Sequence, residues 1–178
     1  MTIKKFVIVG PESTGKSTLS QHLATHFNTE WVREYAREYL EINGTDYTFE
    51  NLYDIAQGQL AGENATTKKL INSGNNVPLI IDTDMYVIKV WSEFVFNKCD
   101  NRVLTEITKR KYDGYILCST DVPWVKDNLR EYPDLVTREK LFHYYKEELS
   151  EQKTPWIIIS GGYRERTQQA IDFVSGLL

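Results

Sequence analysis

The chain is poor in cysteine, has no surplus of positive charge and lacks long apolar runs, and each shortage closes off a class of function. Cys99 and Cys118 are the only two cysteines in 178 residues and lie far from any CxxC spacing. Neither a zinc site nor a disulfide framework is indicated, and each reads as a small buried or half-buried apolar residue. Twenty-one Lys and Arg stand against twenty-five Asp and Glu, a formal net charge of −4. Coating nucleic acid draws on phosphate neutralisation and normally needs a basic surface, so no nucleic-acid partner is expected. Phe6–Val9, behind a start carrying Lys4 and Lys5, is shorter than the roughly 7–15 residues of a signal core. No segment approaches the ~18 apolar residues of a membrane span. The expectation is a cytoplasmic protein without a membrane partner; whether it forms a homo-oligomer is left open.

What is present is an alternation of short apolar runs with longer amphipathic stretches, the pattern of βα units around a parallel sheet. Strands are expected at Phe6–Val9, weakly at Glu30–Val32, then at Val77–Asp82, Gly114–Ser119 and Trp156–Ile159. Helices are expected between them, including a long one over 48–73 and another over 138–152. No repeat, low-complexity tract or linker divides the chain, so residues 1–178 are expected to form one α/β domain. The polar, Pro-containing stretch 120–138 is long enough to be a lid over a site.

Gly10-Pro-Glu-Ser-Thr-Gly-Lys16-Ser17 matches GxxxxGK[ST] in full, with an apolar strand before it and an amphipathic helix after it. Glycines allow the turn that aims successive N–H groups inward, an anion nest at the positive end of a helix. Gly10, Glu12, Ser13, Thr14, Gly15, Lys16, Ser17 and Thr18 are the candidate nucleotide-binding residues. Lys16 is expected to reach the β- and γ-phosphates, and the Ser17 hydroxyl to ligate Mg²⁺. Two further strings suggest a GTPase and fail on context. Asn97-Lys-Cys-Asp100 has the form NKxD but no buried strand leads into it. Asp54-Ile-Ala-Gln-Gly58-Gln59 sits inside a helical pattern.

Acids gather at the carboxyl ends of the strands, the edge where ligands sit in open α/β sheets. Asp82 is a candidate for holding Mg²⁺, and Asp84 for hydrogen-bonding a substrate hydroxyl, with an Asp helix cap as the plainer alternative for one of them. Glu34 follows the second strand and could accept a hydroxyl proton during phosphoryl transfer. Arg37 is either a substrate or phosphate contact or an ion-pair partner. His22 and His26 lack a third ligand and read as solvated, as does the basic cluster Lys109-Arg-Lys111.

Taken together, Gly10–Leu19, Glu34-Tyr-Ala-Arg-Glu-Tyr39, Tyr53-Asp-Ile-Ala56, Ile81-Asp-Thr-Asp84 and Pro123-Trp-Val-Lys-Asp-Asn-Leu-Arg130 resemble, in order and interval, the ribosylnicotinamide kinase domain of NadR-type proteins. The resemblance covers nearly the whole chain. It implies a P-loop NTPase of the nucleoside-monophosphate-kinase-like type, a three-layer sandwich with a five-stranded parallel sheet and a lid. It also implies ATP, Mg²⁺ and phosphorylation of the 5′-hydroxyl of nicotinamide riboside to the mononucleotide. Longer members carry an adenylyltransferase domain, and some a helix-turn-helix, ahead of the kinase. This chain starts at the kinase's first strand, so adenylylation and repression are not carried over.

Nicotinamide riboside bears a cationic ring, for which aromatic faces and carboxylates are suitable partners. Trp31, Tyr35, Tyr86 and Trp124, with Glu34, Asp82 and Asp84, lie at or near expected strand ends, and Trp124 falls in the lid. Arg130 and Arg138 bracket the end of that lid, and cations arriving with it would offset charge on the transferring phosphoryl. Asp127 either orients Arg130 or contacts ribose. Gly162, after the last strand, is placed near the adenine ring by analogy alone. Two rivals remain: a nucleoside monophosphate kinase of the thymidylate type, and a nucleotide switch that binds partners.

Overall fold

The computed structural model describes residues 2–178. Five strands, β1 (Lys5–Val9), β2 (Trp31–Val32), β3 (Leu79–Asp82), β4 (Gly114–Cys118) and β5 (Trp156–Ile159), form one all-parallel sheet in the order β2-β3-β1-β4-β5. Seven helices connect and cover them: α1 (Lys16–His26), α2 (Tyr35–Asn43), α3 (Phe49–Ser73), α4 (Met85–Phe96), α5 (Asn101–Lys109), α6 (Leu135–Glu151) and α7 (Tyr163–Leu177).

The two-residue alternation of the strands explains the layers. Phe6, Ile8, Ile80, Ile116 and Cys118 face one way and pack with Leu19 and Leu23 of α1 and Ala170 and Val174 of α7. Val7, Val9, Leu79, Ile81, Tyr115 and Leu117 face the other way, onto Val87 and Val90 of α4 and Leu141, Tyr145 and Leu149 of α6. A third apolar cluster, around Leu52, Ile55, Met85, Ile88 and Val103, ties α3, α4 and α5 together beyond the sheet. The expected three-layer P-loop fold is the one observed.

Local signals set most boundaries. A capping box between Thr48 and Asn51 starts α3, and Gly74 in the left-handed conformation ends it. Asp84, Asp100 and Asp134 cap α4, α5 and α6 through side-chain bonds to backbone N–H groups. The NKxD string is thereby accounted for: Asn97 closes α4 with φ 54° and Asp100 opens α5. Some expectations move. Val77 and Pro78 precede β3, because proline's missing donor keeps it out of the ladder. α6 starts at Leu135, three residues earlier than expected, so Arg138 rides on a helix and the irregular part of the lid spans 119–134. The cluster Lys109-Arg-Lys111 is not wholly solvated: Arg110 Nη1 lies 2.9 Å from the buried Glu63 carboxylate, which also takes Lys5 Nζ at 2.8 Å. His22 and His26 are exposed on α1, as expected.

Candidate active site

The parallel register brings the carboxyl ends of β2, β3 and β1 side by side, with Val32 opposite Ile81 and Ile8 opposite Asp82. Everything emitted from those ends therefore meets in one place. Residues 10–15 turn from β1 into α1, and the turn needs its glycines. At Gly10, φ is 140° and a Cβ would sit 2.9 Å from the Cys118 carbonyl of β4, so only a bare Cα fits. Gly15 adopts the left-handed conformation immediately before α1. Thr14 Oγ1 donates to the Pro11 carbonyl at 2.8 Å, and Lys16 Nζ donates to the same oxygen at 2.9 Å. The lysine ammonium is thus folded over the nest, beside the N–H groups that phosphate oxygens would meet.

Behind the loop, Arg166 of α7, 3 % exposed, donates to the carbonyls of Thr14, Ser119 and Gly161 at 2.9–3.0 Å and pairs with Asp121. One guanidinium therefore ties the phosphate loop to the ends of β4 and β5. Its place on the last helix, far along the chain, gave no sequence signal.

Asp82 ends β3 with 1 % exposure, and its Oδ1 has no hydrogen-bond partner. Burial, then the Glu34 charge, push this carboxyl up to about 7, against the opposing pull of Lys16 and Ser17. An orphaned buried carboxylate oxygen beside a loop hydroxyl suits a hard, oxygen-seeking cation. Asp82 and Ser17 are the residues that fit Mg²⁺. Among the described residues no group of three or more His, Cys, Asp or Glu is placed to hold a metal ion.

Gln59 of α3 was not a sequence candidate, yet it holds the acidic edge together. It is 3 % exposed. Its Oε1 accepts from Tyr35 N at 2.8 Å, and its Nε2 donates to the carbonyls of Asp82 and Thr83 at 3.1 and 2.9 Å. Thr83, β-branched, is held at φ 69°, a strained conformation that persists only where neighbours enforce it. The helical period that hid Gln59 in the sequence also aims it at both loops.

A cleft of about 180 Å³ opens over the phosphate loop and runs on to Glu34 and Arg37. Trp91 and Phe94 of α4, Tyr145 of α6 and Tyr132 of the lid also line it. Trp91, Phe94 and Tyr145 did not stand out in the sequence, since on an apolar helix face a lining residue and a core residue have the same period; Tyr132, in the irregular lid, had no pattern to mark it. Arg130 lines the cleft and donates from Nη1 to Ser13 Oγ at 3.2 Å. Arg138, 3 % exposed, does not line the cleft; it lies behind the loop, donates to the carbonyls of Ser13 and Val122, and its Nε has no partner. Burial, then Arg130, press its guanidinium below the ordinary range. Among the described residues no carboxylate pairs with it directly, although the Glu12 charge acts on it from the loop, and a buried cation of this kind suits an anion.

The other sequence candidates fall elsewhere. Asp84 is 3 % exposed and takes no part in the cleft wall; the positive φ at Thr83 turns it into the fold, where it accepts from Tyr86 N at 3.0 Å and Tyr115 Oη at 2.8 Å. Burial lifts its carboxyl to about 7. The plainer alternative, a helix cap, is the one realised. The ring of Tyr35 packs on α3 in the space that Gly58 leaves open, and only its backbone serves the site. Trp31 packs beneath the sheet and Tyr86 against Tyr115. Trp124 is half-buried outside the cleft wall. Asp127 orients not Arg130 but Arg37, whose Nη2 lies 3.0 Å away. The backbone of Glu12 is in the loop, but its carboxylate turns to the lid, accepting from Glu131 N and Tyr132 N. Gly162 caps α7, its N–H held by Glu165 at 2.8 Å. Its neighbour Tyr163, with Thr18 and His22, lines a small recess behind the loop instead.

Comparison with known proteins agrees with this architecture. A solved structure described as NadR protein in complex with NR superposes with a TM-score of 0.77 at 22% identity, covering 98% of this chain and 51% of that one. Another, NadR protein in complex with NAD and AMP-PNP, gives 0.78 at 22% identity, covering 98% and 49%. The chain thus spans about half the length of the solved proteins it matches. No curated protein matches it. No helix among the described residues is long and apolar enough to cross a membrane. The AAA domain family matches residues 5–166, and with its phosphate loop, parallel sheet and covering helices the chain belongs to that family of P-loop nucleotide-binding domains.

Proposed function

We propose that the chain is an ATP- and Mg²⁺-dependent kinase that phosphorylates the 5′-hydroxyl of nicotinamide riboside to give nicotinamide mononucleotide. One observation carries the reading: a single cleft is lined by the phosphate loop, by Glu34 and Arg37, by the aromatics Trp91, Phe94, Tyr132 and Tyr145, and by lid residues 129–132. A switch protein has no need of that acidic and aromatic lining beyond the phosphate loop. The likeness to a NadR protein solved with NR supports the choice of acceptor.

The chain's own residues divide the work. Lys16, Arg130 and Arg138 balance the negative charge on the phosphoryl group as it leaves one oxygen for another, an electrostatic effect that is strongest where water is excluded. Glu34 orients the acceptor hydroxyl and takes its proton as the new P–O bond forms. Ser17 and Asp82 would hold Mg²⁺, which when bound draws charge from the phosphate oxygens. Residues 119–134 cover the cleft and keep water from competing for the phosphoryl group.

The charges at the acceptor end favour a nucleoside over a nucleotide. A monophosphate acceptor needs free cations there. Arg37 is already paired with Asp127 and Glu41, whereas Glu34 and Glu131, the latter bonded by Tyr47 Oη at 2.9 Å, line the same cleft. Such a lining suits a neutral or cationic acceptor. The test is incubation with ATP, Mg²⁺ and a panel of nucleosides and nucleoside monophosphates, with products identified by mass. Nicotinamide riboside should gain one phosphoryl group; phosphorylation of a monophosphate and of no nucleoside would overturn the assignment.

A further inference from the structure

The lid has little of its own to hold it in place. Over residues 124–133 the only backbone–backbone hydrogen bond outside regular elements is Arg130 N to the Asp127 carbonyl, at 3.2 Å. Val125 is 57 % exposed. A segment of this kind stays ordered only where something outside it accepts its N–H groups. Within the lid Leu129 N finds Asp127 Oδ1 at 3.0 Å; three further amides find their acceptors on the phosphate loop. Glu12 Oε2 receives Glu131 N at 3.0 Å and Tyr132 N at 3.2 Å, and Ser13 Oγ receives Val125 N at 2.8 Å.

From this geometry we infer that Glu12 is a positioning residue: its carboxylate latches the lid to the phosphate loop and so sets Arg130 and the Tyr132 ring over the cleft. Arg130 and Tyr132 flank or include the two latched amides, so their backbone cannot lift while Glu12 holds. A carboxylate receiving two N–H groups makes charge-assisted bonds, stronger than those of a neutral acceptor. Ser13 adds a second point, binding Arg130 itself through Nη1. Residues 12 and 13 occupy the variable positions of GxxxxGK[ST], where the motif does not dictate the side chain. In this chain those two positions join the loop that grips phosphate to the segment that carries the arginine. Ligand held in the loop and closure of the lid then become one event.

The latch itself is independent of the kinase reading; its effect on transfer rests on that reading. The test is hydrogen–deuterium exchange of the full chain, read as the exchange rate of residues 124–133 relative to that of β1. In Glu12→Ala this ratio should rise at least tenfold. Glu12→Gln, which keeps an acceptor oxygen of the same reach, should return it to within threefold of the native value. An unchanged ratio in the alanine variant, including a general loosening of lid and β1 alike, would overturn the latch. So would a glutamine variant as loose as alanine. In turnover, Glu12→Ala should send a several-fold larger share of consumed ATP to water and raise the KM for the acceptor more than it lowers kcat. If no acceptor is phosphorylated by either protein, the kinase reading fails while the exchange ratio still decides the latch.

Discussion

Arg37 Nη2 donates to Asp127 Oδ2 across 3.0 Å, so the helix that follows Glu34 and the lid are joined by an ion pair at the mouth of the cleft. The two side chains are 41 % and 25 % exposed, and an ion pair this open to water contributes under about 1 kcal/mol to folding. Its consequence is for closure. Asp127→Ala should leave the unfolding midpoint within about 3 °C of native while raising the KM for the acceptor several-fold. Arg37→Ala combined with Asp127→Ala should cost no more than the worse single change. A double-mutant cycle in KM tests this, and fully additive effects would speak against a shared role.

Asp82 is expected to behave in opposite senses for stability and for turnover. Its buried, partnerless oxygen is a charge held where folding alone would not place it. Asp82→Asn should therefore leave thermal stability at pH 8 unchanged or raised, while phosphoryl transfer falls at least about 10²-fold. Calorimetry and an initial-rate assay on the same preparation check the pair of outcomes. A strongly destabilised but active Asn variant would mean that the carboxylate serves packing and not the cation.

Gln59 should be costly to replace. Gln59→Leu removes three hydrogen bonds at once and leaves Tyr35 N and the Asp82 and Thr83 carbonyls to find other partners. Each buried group left unsatisfied costs roughly 1–3 kcal/mol, so denaturant unfolding should report a loss of at least about 2 kcal/mol. Because both acidic loops hang on this side chain, transfer should fall by more than the unfolded fraction explains. Equal falls would reduce Gln59 to a packing residue.

The two thiols should be sluggish. Burial pushes Cys118 up to about 12 and Cys99 to about 11, and only the thiolate reacts readily. At pH 8 the thiolate share is then on the order of 10⁻³ for Cys99 and 10⁻⁴ for Cys118, rising as pH is raised towards those values. A thiol reagent should label the native chain slowly, Cys118 last, and both sites promptly once urea unfolds it. Rapid native labelling of Cys118 would mean that the end of β4 is open beneath the phosphate loop.

How much of this was legible in the sequence depends on whether a feature is contiguous. The phosphate loop is eight adjacent residues whose chemistry needs that order, and the strands are short apolar runs, so both stand out. Glu34 stands out because it lies two residues past β2, and it lines the cleft. Asp82 and Asp84 looked alike in sequence, two acids after one strand. Both are buried, but Asp82 keeps an unpartnered oxygen at the end of β3 while Asp84, past the positive φ at Thr83, is bonded to Tyr86 N and Tyr115 Oη, and nothing in the string Asp-Thr-Asp announces that difference. Gln59, Arg166 and the aromatics Trp91, Phe94 and Tyr145 serve the site from helices, through contacts between distant parts of the chain. Their periodicity marks an inward face without saying whether the interior there is core or cavity. Strand order was equally hidden, since alternating βα units are compatible with several arrangements of the same five strands.

Phosphorus NMR of a reaction containing ATP, Mg²⁺ and nicotinamide riboside observes the transfer itself. The account predicts a phosphomonoester resonance that grows in equal measure with ADP in the native protein and is absent in Lys16→Ala. ADP appearing with inorganic phosphate alone, or a Lys16→Ala protein that still makes the ester, would contradict it.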